Sequence, residues 1–183
     1  MPIQVYSFYI FDRHTECIYS KQWHIRAPPP PSSSSGPSLT SPPSSRPTSQ
    51  QPSHPSAPAT TIPPALSAAS KRRLDDDAKL IFGTVFSLRN MVRKLGGEDD
   101  AFIAFRTAHY KLHYYETPTN LRFAMLTEPG ALSMRNVLHQ IYINLWVEYV
   151  VKNPLSPVEH KGGQGVRNEM FEMGLDKFVR GLM

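Results

Sequence analysis

From Ile3 to Phe11 the alternating positions are apolar on both sides, with Ile3, Val5, Tyr9 and Phe11 on one and Tyr6, Phe8 and Ile10 on the other. A strand of this kind has to be covered on both faces. Asp12, Arg13 and His14 make a polar turn, and Cys17, Ile18, Tyr19 and Trp23 continue a second strand to about Ile25, so the first elements form an antiparallel hairpin. The period then changes. Leu74, Ala78, Ile81, Val85, Leu88, Val92 and Leu95 recur at helical spacing, with Phe82 and Phe86 widening the stripe. Asp75 to Asp77 are expected to open this helix, Arg93 and Lys94 suit its last turn, and Gly96 and Gly97 supply a left-handed stop.

Three short strands are predicted near 102–108, 110–117 and 121–127, the last two joined by a turn at Pro118, Thr119 and Asn120. Glu128, Pro129 and Gly130 break the pattern, and Ser133 is placed to cap a helix from about Met134 to Lys152 that ends at Asn153 and Pro154. A glycine-containing loop at 161–165 precedes a final amphipathic helix carrying Val166, Met170, Phe171, Leu175, Phe178 and Val179. The order ββ, α, βββ, αα predicts an α+β fold, a five-stranded antiparallel sheet with helices packed on it.

The helix at 134–152 carries two apolar stripes. Val137, Leu138, Ile141, Leu145 and Tyr149 form one, and Ile143, Val147, Val150 and Val151 form another on a different face. A helix apolar nearly all round is buried on more than one side, under the last helix or against a partner. The second stripe, together with Phe82, Phe86 and Arg89 on the preceding helix, is the candidate subunit interface.

Between these patterned regions, Ala27 to Ser70 consists almost entirely of proline, serine, threonine and other small residues and holds most of the chain's 18 prolines. With so little to bury, such a segment does not offset a backbone ordering cost of about 1–2 kcal/mol per residue. The 26 residues before it are too few to fold alone, because an isolated hairpin is marginal in water. Residues 1–183 are therefore expected to form a single domain interrupted by a disordered insertion at 27–70, between the second strand and the first helix. Closing a loop of this length costs about 1–2 kcal/mol more than closing a short one.

The net charge of +5 raises the alternative of a basic nucleic-acid-binding module. Its distribution argues against one: the basic run Lys71 to Arg73 is followed, after Leu74, by Asp75 to Asp77, and other cations are scattered. Cys17 is the sole cysteine, which excludes an internal disulfide and fits a reducing compartment, where it packs as a small hydrophobe. Every apolar run falls short of the ~18–20 residues needed to span a bilayer. The N-terminal Met-Pro-Ile-Gln-Val-Tyr lacks a basic secretory n-region and a myristoylation glycine, so the expected location is cytoplasmic.

The residues offer little chemistry. His109 and His113 are four apart but lie across a strand turn, with no carboxylate or cysteine set to complete a metal sphere. Tyr110, Tyr114 and Tyr115 suit sheet packing better than base stacking, since no interleaved cations accompany them. The glycines at 162–165 lack the lysine and hydroxyl ending of a phosphate-binding loop and follow no strand. Asp12, Glu16, Glu116, Asp75 to Asp77, Asp99 and Asp100 fall in turns and helix starts, where capping and solubility account for them. No nucleophile with its base can be assembled, so no catalytic residue, metal or cofactor is expected.

The strings FYIFDRHTECIYSKQWH at 8–24, FRTAHYKLHYYETPTNLRF at 105–123 and VVKNPLSP at 150–157 resemble the sedlin-like family, the smallest longin-like subunit of the TRAPP (transport protein particle) tethering complex. The resemblance covers 3–26 and 74–181; the insertion and the short end after Arg180 depart from the family pattern. It implies a longin-like fold, with one helix on one face of the five-stranded sheet and two on the other. It also implies a non-catalytic subunit that helps promote guanine nucleotide exchange on a Rab1/Ypt1-type GTPase in endoplasmic reticulum to Golgi vesicle transport. The implied partners are a second longin-like subunit, small TRAPP-fold subunits and, through the assembled complex, the GTPase, with peripheral attachment to cis-Golgi membranes. Exchange of this kind is conformational and requires a surface that prefers the nucleotide-poor GTPase. A longin-domain SNARE would need a heptad-repeat helix and a C-terminal anchor, and a longin-type adaptor of another kind is the remaining alternative within the fold.

Excising 27–70 is expected to leave the folded core intact. Thermal unfolding of the excised protein should remain a single cooperative transition, and loss of that transition would show the segment to be part of the core.

Overall fold

The computed structural model describes residues 2–23, 68–97, 100–160 and 165–183. Most of the proline and serine segment, from Ala27 to residue 67, lies outside these residues, as do the expected end of the second strand at Ile25 and most of the glycine loop. The elements are β1 (Val5–Phe11), β2 (Cys17–Gln22), α1 (Ala68–Gly96), β3 (Ala104–Arg106), β4 (Lys111–Glu116), β5 (Arg122–Thr127), α2 (Arg135–Ile141) with a π-helical continuation Tyr142–Val151, and α3 (Glu169–Arg180). The strands form one antiparallel sheet in the order β2-β1-β5-β4-β3, so the first two strands are joined to the later three through the β1–β5 pair.

One face of the sheet presents Phe8, Ile10, Phe123 and Met125 to Leu138, Ile141, Trp146, Phe171 and Leu175, all of them buried. The other presents Tyr9, Phe11, Leu112, Tyr114 and Ala124 to Ala78 and Val85 of α1. The predicted alternation in β1 fails at one place. A bulge between Val5 and Ser7 puts Val5 into the same cluster as Phe8 and Ile10, and Ile3 follows it, away from Tyr9 and Phe11.

Helix boundaries depart from expectation for local reasons. α1 begins at Ala68, so Asp75 to Asp77 lie inside it and its first turn holds no acidic residue, whereas Arg93 and Lys94 do occupy the last turn. Gly97, at φ +97°, terminates it in a conformation that a side chain disfavours. α2 is preceded by Met134 rather than capped by Ser133, and no side chain caps it. At its far end the Lys152 N–H donates to the Val147 carbonyl five residues back, a wider turn than an α-helix makes. This winding turns Leu145, Trp146 and Val150 together into the core. α3 is capped by Asn168, whose side-chain oxygen accepts from the Met170 and Phe171 N–H groups; Val166 is buried before the helix starts, and Met170 is exposed rather than part of the buried stripe. β3 is shorter than the predicted 102–108, because the Thr107 hydroxyl closes a turn by accepting from the His109 and Tyr110 N–H groups.

Both tight hairpin turns place a non-glycine residue in the left-handed region, Thr15 at φ 73° and Asn120 at φ 60°. Asparagine tolerates this; a β-branched residue does not. The first turn is held nonetheless, because an Asp12 carboxylate oxygen accepts from the N–H groups of His14 and Glu16. Thr15→Asn is therefore expected to raise stability by about 0.5–1 kcal/mol, read as a higher denaturant midpoint with an unchanged m-value.

Candidate functional site

The candidate interface residues fall on opposite sides of the sheet. On the α1 side, Phe82 packs 5.3 Å from the Phe11 ring and stacks 6.0 Å from Phe86, which is 48% exposed. Arg122 lies over the Phe82 ring at 5.9 Å. On the α2 side, Ile143 is 43% and Val151 62% exposed, and Val147 is half-buried. Val150, expected on the same outward stripe, is a core residue, because the wider helical turn rotates it inward beside Trp146. The structure brings Phe82, Phe86 and Arg89 together and separates them from Ile143, Val147 and Val151 by the thickness of the sheet.

Arg89 is engaged within the chain. Its Nε donates to a Glu116 oxygen at 2.7 Å, and Arg122 donates to the other Glu116 oxygen at 3.3 Å and to the Asp12 carbonyl at 3.2 Å. Glu116 is thus not a solubilising turn residue. It ties α1 to the end of β4 and to the β1–β2 turn, a role invisible in the sequence because its two arginines lie 27 residues before it and six after. Beside this triad a cavity of about 380 Å³ runs past the end of β4 and is reached from both faces of the sheet, lined by Arg89 and Arg93 of α1, Phe102, Tyr114 and Glu116, and Arg135 of α2 among others.

A second hollow, of about 280 Å³, is the meeting place of the three strings that carry the family resemblance. Asp12, Arg13 and His14 reach it from the first turn, Thr119 and Leu121 from the turn before β5, and Val150, Val151 and Pro157 from the chain after α2. An Arg13–Glu159 ion pair bridges the first and last of these. Leu155 and Val158 stand 90% and 98% exposed in the same loop.

His113 is buried and structural. Its Nδ1 accepts from the Met134 N–H, which leaves the proton on Nε2 to donate to the Thr127 hydroxyl at 2.9 Å. Burial, with Lys111 nearby, lowers its pKa to about 4, so it is neutral at physiological pH. His109 is exposed on the turn before β4. Among the described residues no group of three or more histidine, cysteine, aspartate or glutamate side chains is arranged to hold a metal ion. The Cys17 thiol donates to the Tyr19 carbonyl and is pushed up to about 11 by burial, so it is protonated at neutral pH. Tyr114 and Tyr115 face opposite sides of the sheet, Tyr115 pairing its hydroxyl with His139 at 2.8 Å, so they make no stacking platform. Among the described residues no helix is long and apolar enough to cross a membrane.

A five-stranded antiparallel sheet with one helix on one face and two on the other is the longin-like α+β architecture. The Sybindin-like family matches residues 5–182, and the chain belongs to that family. It is 38% identical to the transport protein particle subunit bet5 of Schizosaccharomyces pombe, an alignment that covers 97% of each chain. It is 48% identical to trafficking protein particle complex subunit 1 of Homo sapiens across 59% of this chain and 73% of the relative. The corresponding subunit BET5 of Saccharomyces cerevisiae is 29% identical across 96% of this chain and 95% of the relative.

His113 generates a pH dependence with a defined sign. Its folded pKa lies below the unfolded value near 6.5, so the unfolded state binds more protons between those values and stability falls as pH drops through that window. The loss attributable to His113 should reach about 3 kcal/mol by pH 4. Urea midpoints of the native chain and His113→Gln should converge as the pH is lowered; parallel curves would show His113 to be accessible in the folded state.

Proposed function

We propose that this chain is a non-catalytic core subunit of a TRAPP-type tethering complex. The observation that carries the reading is the 38% identity to a transport protein particle subunit in an alignment covering 97% of both chains, together with the family match over 5–182. In this assembly the chain helps build the surface that promotes guanine nucleotide exchange on a Rab1/Ypt1-type GTPase. It acts at endoplasmic reticulum to Golgi membranes, cytoplasmic and peripheral, held there by its neighbours. It contributes shape rather than reacting groups. Its partners are a second longin-like subunit and the small TRAPP-fold subunits.

Exposed apolar residues support a role in assembly. Leu80, Phe86, Met91 and Leu95 stand out from α1, and Ile143, Val151, Leu155 and Val158 from the opposite side, more than water favours on a chain that works alone. Phe82, Phe86 and Arg89 form one contact region in this reading and Ile143, Val147 and Val151 the other. The proline and serine segment is a loop inserted in one domain.

Affinity purification of the tagged chain from cells should recover the other TRAPP subunits at fixed stoichiometry. Phe86→Asp and Val151→Asp sit on exposed positions and should leave the circular dichroism spectrum unchanged while each removes a different set of co-purifying subunits. The intact complex should accelerate release of labelled GDP from the GTPase. Recovery of the chain alone, or identical subunit sets with both variants, would overturn the assignment.

A further inference from the structure

The cavity beside Glu116 is unbalanced in charge and in hydrogen bonding. Arg89, Arg93 and Arg135 line it against one carboxylate, Glu116, which is already shared between Arg89 and Arg122. Arg93 and Arg135 form no ion pair among the described residues, and Arg89 uses only its Nε. Tyr114, also in the wall, is 3% exposed, and its hydroxyl is the one buried side-chain polar atom among the described residues without a hydrogen-bond partner. Leaving a buried hydroxyl unpaired is destabilising, so its persistence calls for an explanation. Burial, and after it the Glu116 carboxylate, push the phenol pKa up; the hydroxyl therefore stays a proton donor beside an acceptor occupied by arginines.

We propose that this cavity binds a phosphate monoester, with the phosphate held by Arg89, Arg93 and Arg135. Three guanidinium groups against one carboxylate leave a surplus of two positive charges, which suits a dianion better than a single carboxylate. A volume of about 380 Å³ lies in the range of small-ligand sites and exceeds what one carboxylate fills. The bound anion draws the Arg89 fork away from Glu116, and the carboxylate oxygen it releases accepts the Tyr114 O–H. The Tyr114 hydroxyl, whose interaction with Glu116 falls short of a hydrogen bond in the free chain, is then fully paired.

Calorimetric titration of the full chain tests the site with two phosphate probes, inositol hexakisphosphate in solution and phosphatidylcholine vesicles doped with a bisphosphorylated phosphoinositide, and with triglutamate as the carboxylate control. Saturable binding to either phosphate probe supports the site: preference for the soluble probe identifies a free ester, and preference for the vesicles a lipid headgroup. Arg93→Gln and Arg135→Gln should each weaken binding about tenfold, while Arg106→Gln, an exposed arginine on β3, should leave it unchanged. Tyr114→Phe should weaken binding severalfold without lowering the thermal midpoint, because it removes a hydroxyl unpaired in the free protein. Absence of binding to both probes, equal loss with Arg106→Gln, equal affinity for triglutamate, or a lowered midpoint for Tyr114→Phe would each overturn the proposal. None of these readouts depends on assembly with other subunits, so failure here leaves the proposed function standing.

Discussion

β1 and β5 are adjacent, and both are apolar on both faces. Phe8, Ile10, Phe123 and Met125 point one way, and Tyr9, Phe11 and Ala124 the other. Neither face at the centre of the sheet can therefore meet water, and fully burying each large side chain stabilises the fold by about 1.5–3 kcal/mol relative to exposure. A third layer is obligatory. The two covers differ because the faces differ. On one side, edge-to-face contacts run from Phe123 to Trp146 at 6.2 Å and on to Phe171 at 5.8 Å, filling the wide space under α2 and α3. On the other, the small residues Ala78 and Ala124 meet in the contact, which lets a single helix lie close to the sheet.

Polar groups fix how these layers are joined. On the α1 side, Glu116 accepts from Arg89 and Arg122, locking the helix to the end of β4 where β3 no longer pairs. On the α2 side, His113 bridges the Thr127 hydroxyl and the Met134 N–H, which satisfies one of the first backbone donors of a helix that lacks a side-chain cap. Asp176 of α3 accepts from the Trp23 indole at 2.9 Å and pairs with Lys21 at 3.1 Å. That carboxyl is held below its ordinary pKa by the Trp23 hydrogen bond first and by the cations Lys21 and Arg180 as well. Each tie links a helix to a different part of the sheet, so hydrophobic burial sets the layers and three polar clusters set their registration.

Much of this was legible in the residue pattern. Alternation identified the strands, helical spacing identified α1 and α3, and the two-faced β1 implied cover on both sides. Where the pattern misled, a local distortion had altered the period. The bulge moved Val5 to the other face, and the wide turn after Tyr142 moved Val150 from an outward stripe into the core. Neither leaves a residue signature of its own. Glu116 departs from expectation for another reason: its role depends on partners that only the fold brings near, as do the particular hydrogen bonds of His113, whereas the residue pattern shows a charged residue before a turn and a lone histidine in a strand.

The three-layer arrangement also constrains how the proposed assembly is built. Apolar groups left exposed on α1 and those left exposed after Tyr142 are separated by the sheet and the side chains packed on both faces of it, so no single flat partner surface can cover both. A subunit with two such patches is suited to sit between neighbours. The Glu116 triad lies beside the first patch, because Arg122 both holds Glu116 and covers the Phe82 ring at 5.9 Å. Any ligand that draws Arg89 from Glu116 therefore alters the charge environment of the helix face carrying Phe82 and Phe86. Through that shared arginine pair, the proposed occupancy of the cavity would bias contact with a neighbour on α1, and such a contact would bias occupancy by the same coupling free energy.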